Sequence, residues 1–277
     1  MANRFSKVIC WFVFVMVFVV AGCQRGYRKD VPAYEQVVDA NLSIDPNLLI
    51  DPNFIVPDYA SRAIEATGGR QAWMRTKKLT IESRATFYHL DDSFYLTEQE
   101  YEIHPWSNAI QISGEEPQGR VVCRFSGGVF SVLKGAERVD ALPIAGLNRG
   151  FAEAILNITT APVRFLDKSA EFTKELQPVK IMGQWYRPIR RTIRPASSEP
   201  GVPQLAKTKA VFYQNRDNSL IDLLWLGDVD GETFLTVRGY DYHEVEKNGV
   251  RLPAKIEIFI TDASGASPRR LAKVDFD

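Results

Sequence analysis

Between residues 79 and 88, Leu79, Ile81, Ser83, Ala85 and Phe87 alternate with Thr80, Glu82, Arg84, Thr86 and Tyr88. A period of two with one apolar set predicts a strand buried on one face. The same pattern recurs in FYLTEQEYEI (94–103), RVVCRFS (120–126), VFSVLKG (129–135), VKIMGQWYRPIRRTI (179–193), KTKAVFYQ (207–214), LIDLLWLG (220–227), ETFLTVRGYDYHEVE (232–246), LPAKIEIFIT (252–261) and LAKVDFD (271–277). Ser126-Gly127-Gly128, Asp230-Gly231 and Asn248-Gly249 separate some of these runs, and the last two are strong hairpin signals. The stretch LLWLG is apolar on both strand faces, which predicts a strand covered on each side. Two segments break the alternation. In PDYASRAIEATGGRQAW, Asp58 is an N-cap candidate, Ala60, Ala63 and Ile64 share a face, and Gly68-Gly69 is a stop. In GLNRGFAEAILNI, Phe151, Ala154, Ile155 and Ile158 form one stripe, and Pro162 limits its extension. The expected fold is therefore mainly β with two or more helices (α+β): a long antiparallel meander, curved so that its concave face buries the helices.

The start of the chain follows neither pattern. Arg4 and Lys7 precede an apolar run from Val8 to Val20, shorter than the ~18 residues that a membrane-spanning helix needs. Val20-Ala21-Gly22-Cys23 resembles a bacterial lipobox. Residues 1–22 are then a lipoprotein signal peptide, and Cys23 is the lipid attachment site. A single acyl chain anchors only marginally, whereas several on one cysteine hold a protein at a bilayer. In lipoproteins of this kind an aspartate after the cysteine often retains the protein at the inner membrane. Gln24 stands there instead and points to the periplasmic face of the outer membrane. Residues 23–56 read as a tether, with Ile-Asp-Pro-Asn at 44–47 repeated at 50–53, and with prolines that favour extended or turn structure. Residues 57–277 form one β domain.

Charge and composition narrow the function. The chain has 34 basic and 34 acidic residues, and removal of the signal leaves it two acids from neutrality. No basic surplus calls for nucleic acid. With 45% hydrophobic residues it can bury a sizeable core. Of three cysteines, Cys10 leaves with the signal and Cys23 carries lipid, so Cys123 remains without an internal partner and reads as a small core residue.

A search for reactive groups finds no constellation. His89, His104 and His243 have no metal-ligand spacing. Ser131-Val132-Leu133-Lys134 matches a serine-x-x-lysine pattern, but in a strand its two polar side chains project to opposite faces. In GDVDGE a calcium loop would start at Leu226, which cannot ligate, so a hairpin turn explains it better. Arg187, Arg190, Arg191 and Arg194 read as solvated charge at a sheet edge. No catalytic residue, metal or cofactor is assigned, and an enzyme is not expected.

The lipobox, the segment AIEATGGRQAW and the run YDYHEVEKNGVRLPAKIEIFI resemble bacterial lipoprotein carriers of the LolA and LolB type, and lipoprotein-sorting proteins more broadly. The resemblance covers about residues 57–277. It implies an unclosed β-barrel with helices as a lid over an apolar cavity that receives lipid or lipoprotein acyl chains. On that basis the ligand-binding residues are Ile81, Phe87, Phe125, Phe151, Ile155, Trp185, Phe212, Trp225 and Phe234, each of which also reads as plain core. Trp73 is expected to pack the first helix onto the sheet. Two readings stay open: a lipid-anchored carrier of an apolar ligand, or an envelope lipoprotein that docks a protein partner and fills its own core.

Overall fold

The computed structural model describes residues 56–117, 119–135, 137–139, 149–166, 170–172, 177–193, 209–227, 234–245, 249–262 and 268–277. Residues 1–22, read as a signal peptide, Cys23, nearly all of the stretch 23–56 read as a tether, Arg194 and the Asp230-Gly231 pair read as a hairpin signal lie outside the described residues.

Three helices are described: α1 (Asp58–Ala66), α2 (Gly69–Arg75) and α3 (Arg149–Arg164). The strands are β1 (Leu79–Tyr88), β2 (Phe94–His104), β3 (Ala109–Glu116), β4 (Gly119–Ser126), β5 (Val129–Lys134), β6 (Glu137–Val139), β7 (Ala170–Phe172), β8 (Val179–Ile181), β9 (Gln184–Ile193), β10 (Lys209–Asn215), β11 (Ile221–Gly227), β12 (Phe234–Val245), β13 (Val250–Thr261) and β14 (Arg269–Phe276). Thirteen of them form one antiparallel sheet in the order β6-β5-β4-β3-β2-β1-β14-β13-β12-β11-β10-β9-β7, and β8 pairs with β9. The sheet joins two meanders through β1 and β14, with Ala85 opposite Val274. Its two ends, β6 and β7, do not pair with each other, so the barrel is unclosed. The fold is the mainly β, α+β architecture that the alternation predicts.

One face of the sheet carries the core. Ile189, Phe212, Leu224, Val237, Ile258, Ala272 and Phe87 lie opposite one another across seven strands, each buried. Helix α3 lies on this face and packs against β3 and β4 of the first meander and β11, β12 and β13 of the second. Its Phe151, Ile155 and Leu156 are completely buried.

The two glycines after α1 do more than stop it. Gly68 has φ +109°, and a Cβ there would sit 2.0 Å from the carbonyl oxygen of Gly249, in the turn before β13. Only glycine allows that approach. Around it, the Arg251 amide donates to the Thr67 carbonyl at 3.0 Å, and Trp73 Nε1 donates to Thr67 Oγ1 at 3.0 Å. Trp73 belongs to the separate helix α2, and it is α2, packed against β13, that this tryptophan anchors. Trp106 Nε1, within the β2–β3 connection, donates to the Thr76 carbonyl at 3.1 Å and ties that connection to the end of α2.

Several strand assignments differ from the sequence reading, among them the short strands β6 and β7, which it does not contain. VKIMGQWYRPIRRTI is two strands, because Met182 (φ 48°) and Gly183 (φ 86°) make a two-residue hairpin turn with both residues left-handed. AIQISGEE, unread as a strand, is β3. It keeps Ile110, Ile112 and Glu116 on the core side but is interrupted by Gly114. The arginine-bearing strand β9 is no free edge, since β7 pairs with it beyond β10.

Candidate functional site

The site is built where the two meanders curl toward each other beneath α3. Phe125 of β4, Ala210 of β10 and Leu226 of β11 line one cavity of about 260 Å³, together with Gly127 and Gly128 of the β4–β5 turn, Asn108, Arg191, and Arg149, Glu153 and Asn157 of α3. In strand order β4 and β10 are eight neighbours apart, which in a flat sheet is about 38 Å. Their meeting around one small space shows how far the sheet bends. The floor is apolar and the rim is polar.

Spacing explains the rim. Arg149, Glu153 and Asn157 recur every four residues and so lie on one helix face. Arg149 Nη2 donates to Glu153 Oε1 at 3.4 Å, and Asn157 Nδ2 donates to the Glu153 carbonyl at 2.8 Å. The Arg149 guanidinium carbon lies 5.8 Å from the centroid of the Phe125 ring, a cation–π placement that holds charge over the apolar floor. Arg191 is only 4% exposed. It shares the inward alternation with Ile189 and lies opposite Ala210. The reading of this arginine as solvated edge charge is therefore corrected: β9 turns it inward.

Deeper on the concave face, Phe87 packs edge-to-face on Phe151 at 4.9 Å and stacks on Tyr95 at 5.1 Å. Beside them is a buried polar group. Glu116 is 5% exposed, and Gln99 Nε2 donates to its Oε1 at 3.2 Å. Burial pushes the Glu116 carboxyl above the usual carboxylate range, against the opposing hydrogen bonds of Tyr95 and Gln99. Burial, with the Glu116 charge nearby, also pushes the Cys123 thiol up to about 12, so this cysteine is an inert core residue at neutral pH.

Six of the nine residues expected to bind ligand face this interior. Phe125 lines the cavity itself, while Ile81, Phe87, Phe151, Ile155 and Phe212 belong to the packed core around it. Three stand apart. Trp225 lies between the inward Leu224 and Leu226, so alternation sends it to the convex face, where it stacks on Phe234 at 5.3 Å. Trp185 is 48% exposed beside the β8–β9 turn. Arg149, Glu153 and Asn157 are the rim residues not singled out beforehand, and their four-residue spacing on α3 was the available signal; Arg191 was singled out, but as edge charge. A larger depression of about 440 Å³, lined by Glu82, Arg84, Glu98, Glu100, Glu115 and Arg120 among others, is an open groove between charged side chains and has no apolar floor.

No protein-family model matches the chain, and no curated protein matches it. Solved structures do. A LolA superfamily protein from Nitrosomonas europaea is similar at TM-score 0.51 and 13% identity, over 81% of this chain and 92% of that one. A lipoprotein-sorting protein domain from Vibrio parahaemolyticus gives TM-score 0.44 and 11% identity, over 79% and 91%. A DUF1329 family protein from Desulfovibrio piger gives 0.41 and 8%, over 80% and 91%. The fold is LolA-like.

Proposed function

We propose that the chain is an envelope lipoprotein, anchored through acyl chains on Cys23 at the periplasmic face of the outer membrane. It binds an apolar ligand, an acyl chain of a lipid or lipoprotein, between α3 and the concave sheet, and acts as a binding protein rather than an enzyme. The observation that carries this reading is the cavity with a floor of Phe125, Ala210 and Leu226 and a polar rim. That is the arrangement by which a protein shields alkyl surface, at about 25 cal/mol per Å² removed from water. The likeness of fold to a LolA superfamily protein supports the same role.

At about 260 Å³ the cavity lies just below the ~300–1,000 Å³ common for ligand pockets. It admits part of a chain. A longer ligand requires α3 to lift from the sheet and exchange its own apolar contacts for those of the ligand. Each buried methylene adds ~0.8 kcal/mol, or about fourfold in affinity. Displacement of a fluorescent fatty acid from the purified protein, across a series of alkyl chain lengths, tests this. Affinity should climb by about that factor per methylene until the space is filled. Ala210→Phe should block it, weakening uptake at least about tenfold while the unfolding temperature stays within a few degrees. Absence of displacement at every chain length would sink the proposal.

The second reading, a docking lipoprotein for an envelope protein partner, is favoured by one observation: Phe87, Phe151, Ile155 and Phe212 are at most 1% exposed, so the protein's own side chains already fill most of the interior. The anchor has its own test. Mass spectrometry of the mature N-terminus should find an acylated Cys23; an unmodified Cys23 would remove the lipoprotein.

A further inference from the structure

The convex face of the sheet carries an apolar row of its own. Trp225 lies opposite Thr236, Thr236 opposite Phe259, Phe259 opposite Arg270, and Tyr88 opposite Phe94. The Arg270 guanidinium carbon joins the two halves, 5.7 Å from the centroid of the Phe259 ring and 5.5 Å from that of Tyr88. The row crosses β11, β12, β13, β14, β1 and β2, which are neighbours in the sheet, a span of about 24 Å. Leu224, Val237, Ile258 and Phe87, adjacent to it along the strands, are core residues, so alternation turns the row outward. Phe234 stacks on Trp225 at 5.3 Å, Phe94 is 64% exposed, and Leu96, next on the same face of β2, is 58% exposed. Four residues further along the strands, about 13 Å, that face is charged, with Glu98, Arg84, Asp275 and Lys255 side by side. Aromatic rings and a cation at the border of a charged surface match the composition of a membrane–water interface.

Size selects the occupant. A stable protein partner needs about 800 Å² and roughly 20–30 residues on each side, far more than this row with Phe234 and Leu96 supplies. A bilayer needs no such area once acyl chains hold the protein at its surface, because the contact is then intramolecular and a weak one suffices. The adjoining β1–β2 turn sets the depth. Ser93 donates to Asp91 from its hydroxyl at 2.6 Å and its amide at 3.1 Å, which holds the Asp91 carboxyl below its usual range. A carboxylate that stays charged keeps the turn among the headgroups and out of the hydrocarbon.

We propose that this row is a membrane-facing edge, seated in the phospholipid headgroup layer while acyl chains on Cys23 hold the protein to the bilayer. This rests on the reading of Cys23 as the lipid anchor and adds the orientation of the domain. Trp225 of the row and Leu226 of the cavity floor are consecutive on β11 and face opposite sides, so a seated row holds the cavity beside the bilayer.

The acylated full-length protein, reconstituted in vesicles of phosphatidylethanolamine and phosphatidylglycerol, tests this. An environment-sensitive fluorophore is attached through Leu96→Cys in one sample and through Glu100→Cys, on the same face of β2 but among the charges, in another; the buried thiol of Cys123 does not compete for the label. Lipids carrying a nitroxide at headgroup depth should quench the label at 96 and leave the label at 100 bright. Phe94→Ser, at an exposed position that folding does not need, should lower the ratio of seated to unseated protein about fivefold or more, read as lost quenching at 96, while the protein still floats with the vesicles. Equal quenching at the two sites on floating protein would overturn the edge and leave the anchor standing. A label at 96 shielded from aqueous iodide but untouched by the lipid quencher would mean that a second copy covers the row, which also overturns the edge. Protein that does not float would overturn the anchor, and the edge with it.

Discussion

Among the described glycines, Gly68 is the one where an added Cβ would come closest to another atom. Its φ of +109° disfavours any other residue, and the Gly249 carbonyl oxygen occupies the place of a side chain. Gly68→Ala must therefore accept left-handed strain and push α1–α2 away from the β13 turn. The expected loss is about 2–5 kcal/mol, seen as a lower midpoint in denaturant unfolding followed by circular dichroism. An unchanged midpoint would show that the junction is soft. Glu116 makes a second prediction, with an unusual sign. Its carboxyl is raised in the folded state by burial, so between the unfolded and folded pKa values the native state holds the extra proton. Stability from this group is full below the unfolded value and falls as pH rises through the folded one. Glu116→Gln removes the dependence. Unfolding free energies of the two proteins, compared from pH 4 to 8, should shift progressively in favour of the glutamine variant. A constant difference would mean that Glu116 titrates normally.

At the scale of elements, the β8–β9 hairpin shows what alternation alone misses. Valine, isoleucine, tryptophan and tyrosine run through VKIMGQWY without an Asn-Gly or Asp-Gly marker, so the segment reads as one strand. The turn is nonetheless a two-residue left-handed one, with methionine at a position that favours asparagine. Met182→Asn is expected to raise stability by about 0.5–1 kcal/mol, measurable as a higher urea midpoint at unchanged slope. The α1–α2 break was legible as Gly68-Gly69. Its cause was not, because the obstructing carbonyl comes from Gly249, far along the chain. Trp225 and Phe234 teach a different lesson. An aromatic side chain does not declare its face, whereas the alternation of Leu224 and Leu226 around Trp225 does. The rim was half legible in the same way: Arg149, Glu153 and Asn157 fall on one helical stripe, but which stripe meets the opening depends on how the sheet bends around α3.

For the whole molecule, the class of fold followed from local period and turn signals, while the pairing of β1 with β14 had no local signature. That pairing links strands nearly two hundred residues apart. A chain lacking 269–277 should lose the cooperative unfolding transition, because β1 and β13 would both become open edges in the middle of the sheet. Retention of one sharp transition would show that the two meanders hold together through α3 alone. The same adjacency sets a timetable. The ribosome delivers β14 nearly two hundred residues after β1, so the two meanders cannot be stitched together until that whole stretch has been made. Until then one edge of the β1 backbone offers its unpaired amides to any passing strand, and a nascent chain in that condition is prone to stick to its neighbours.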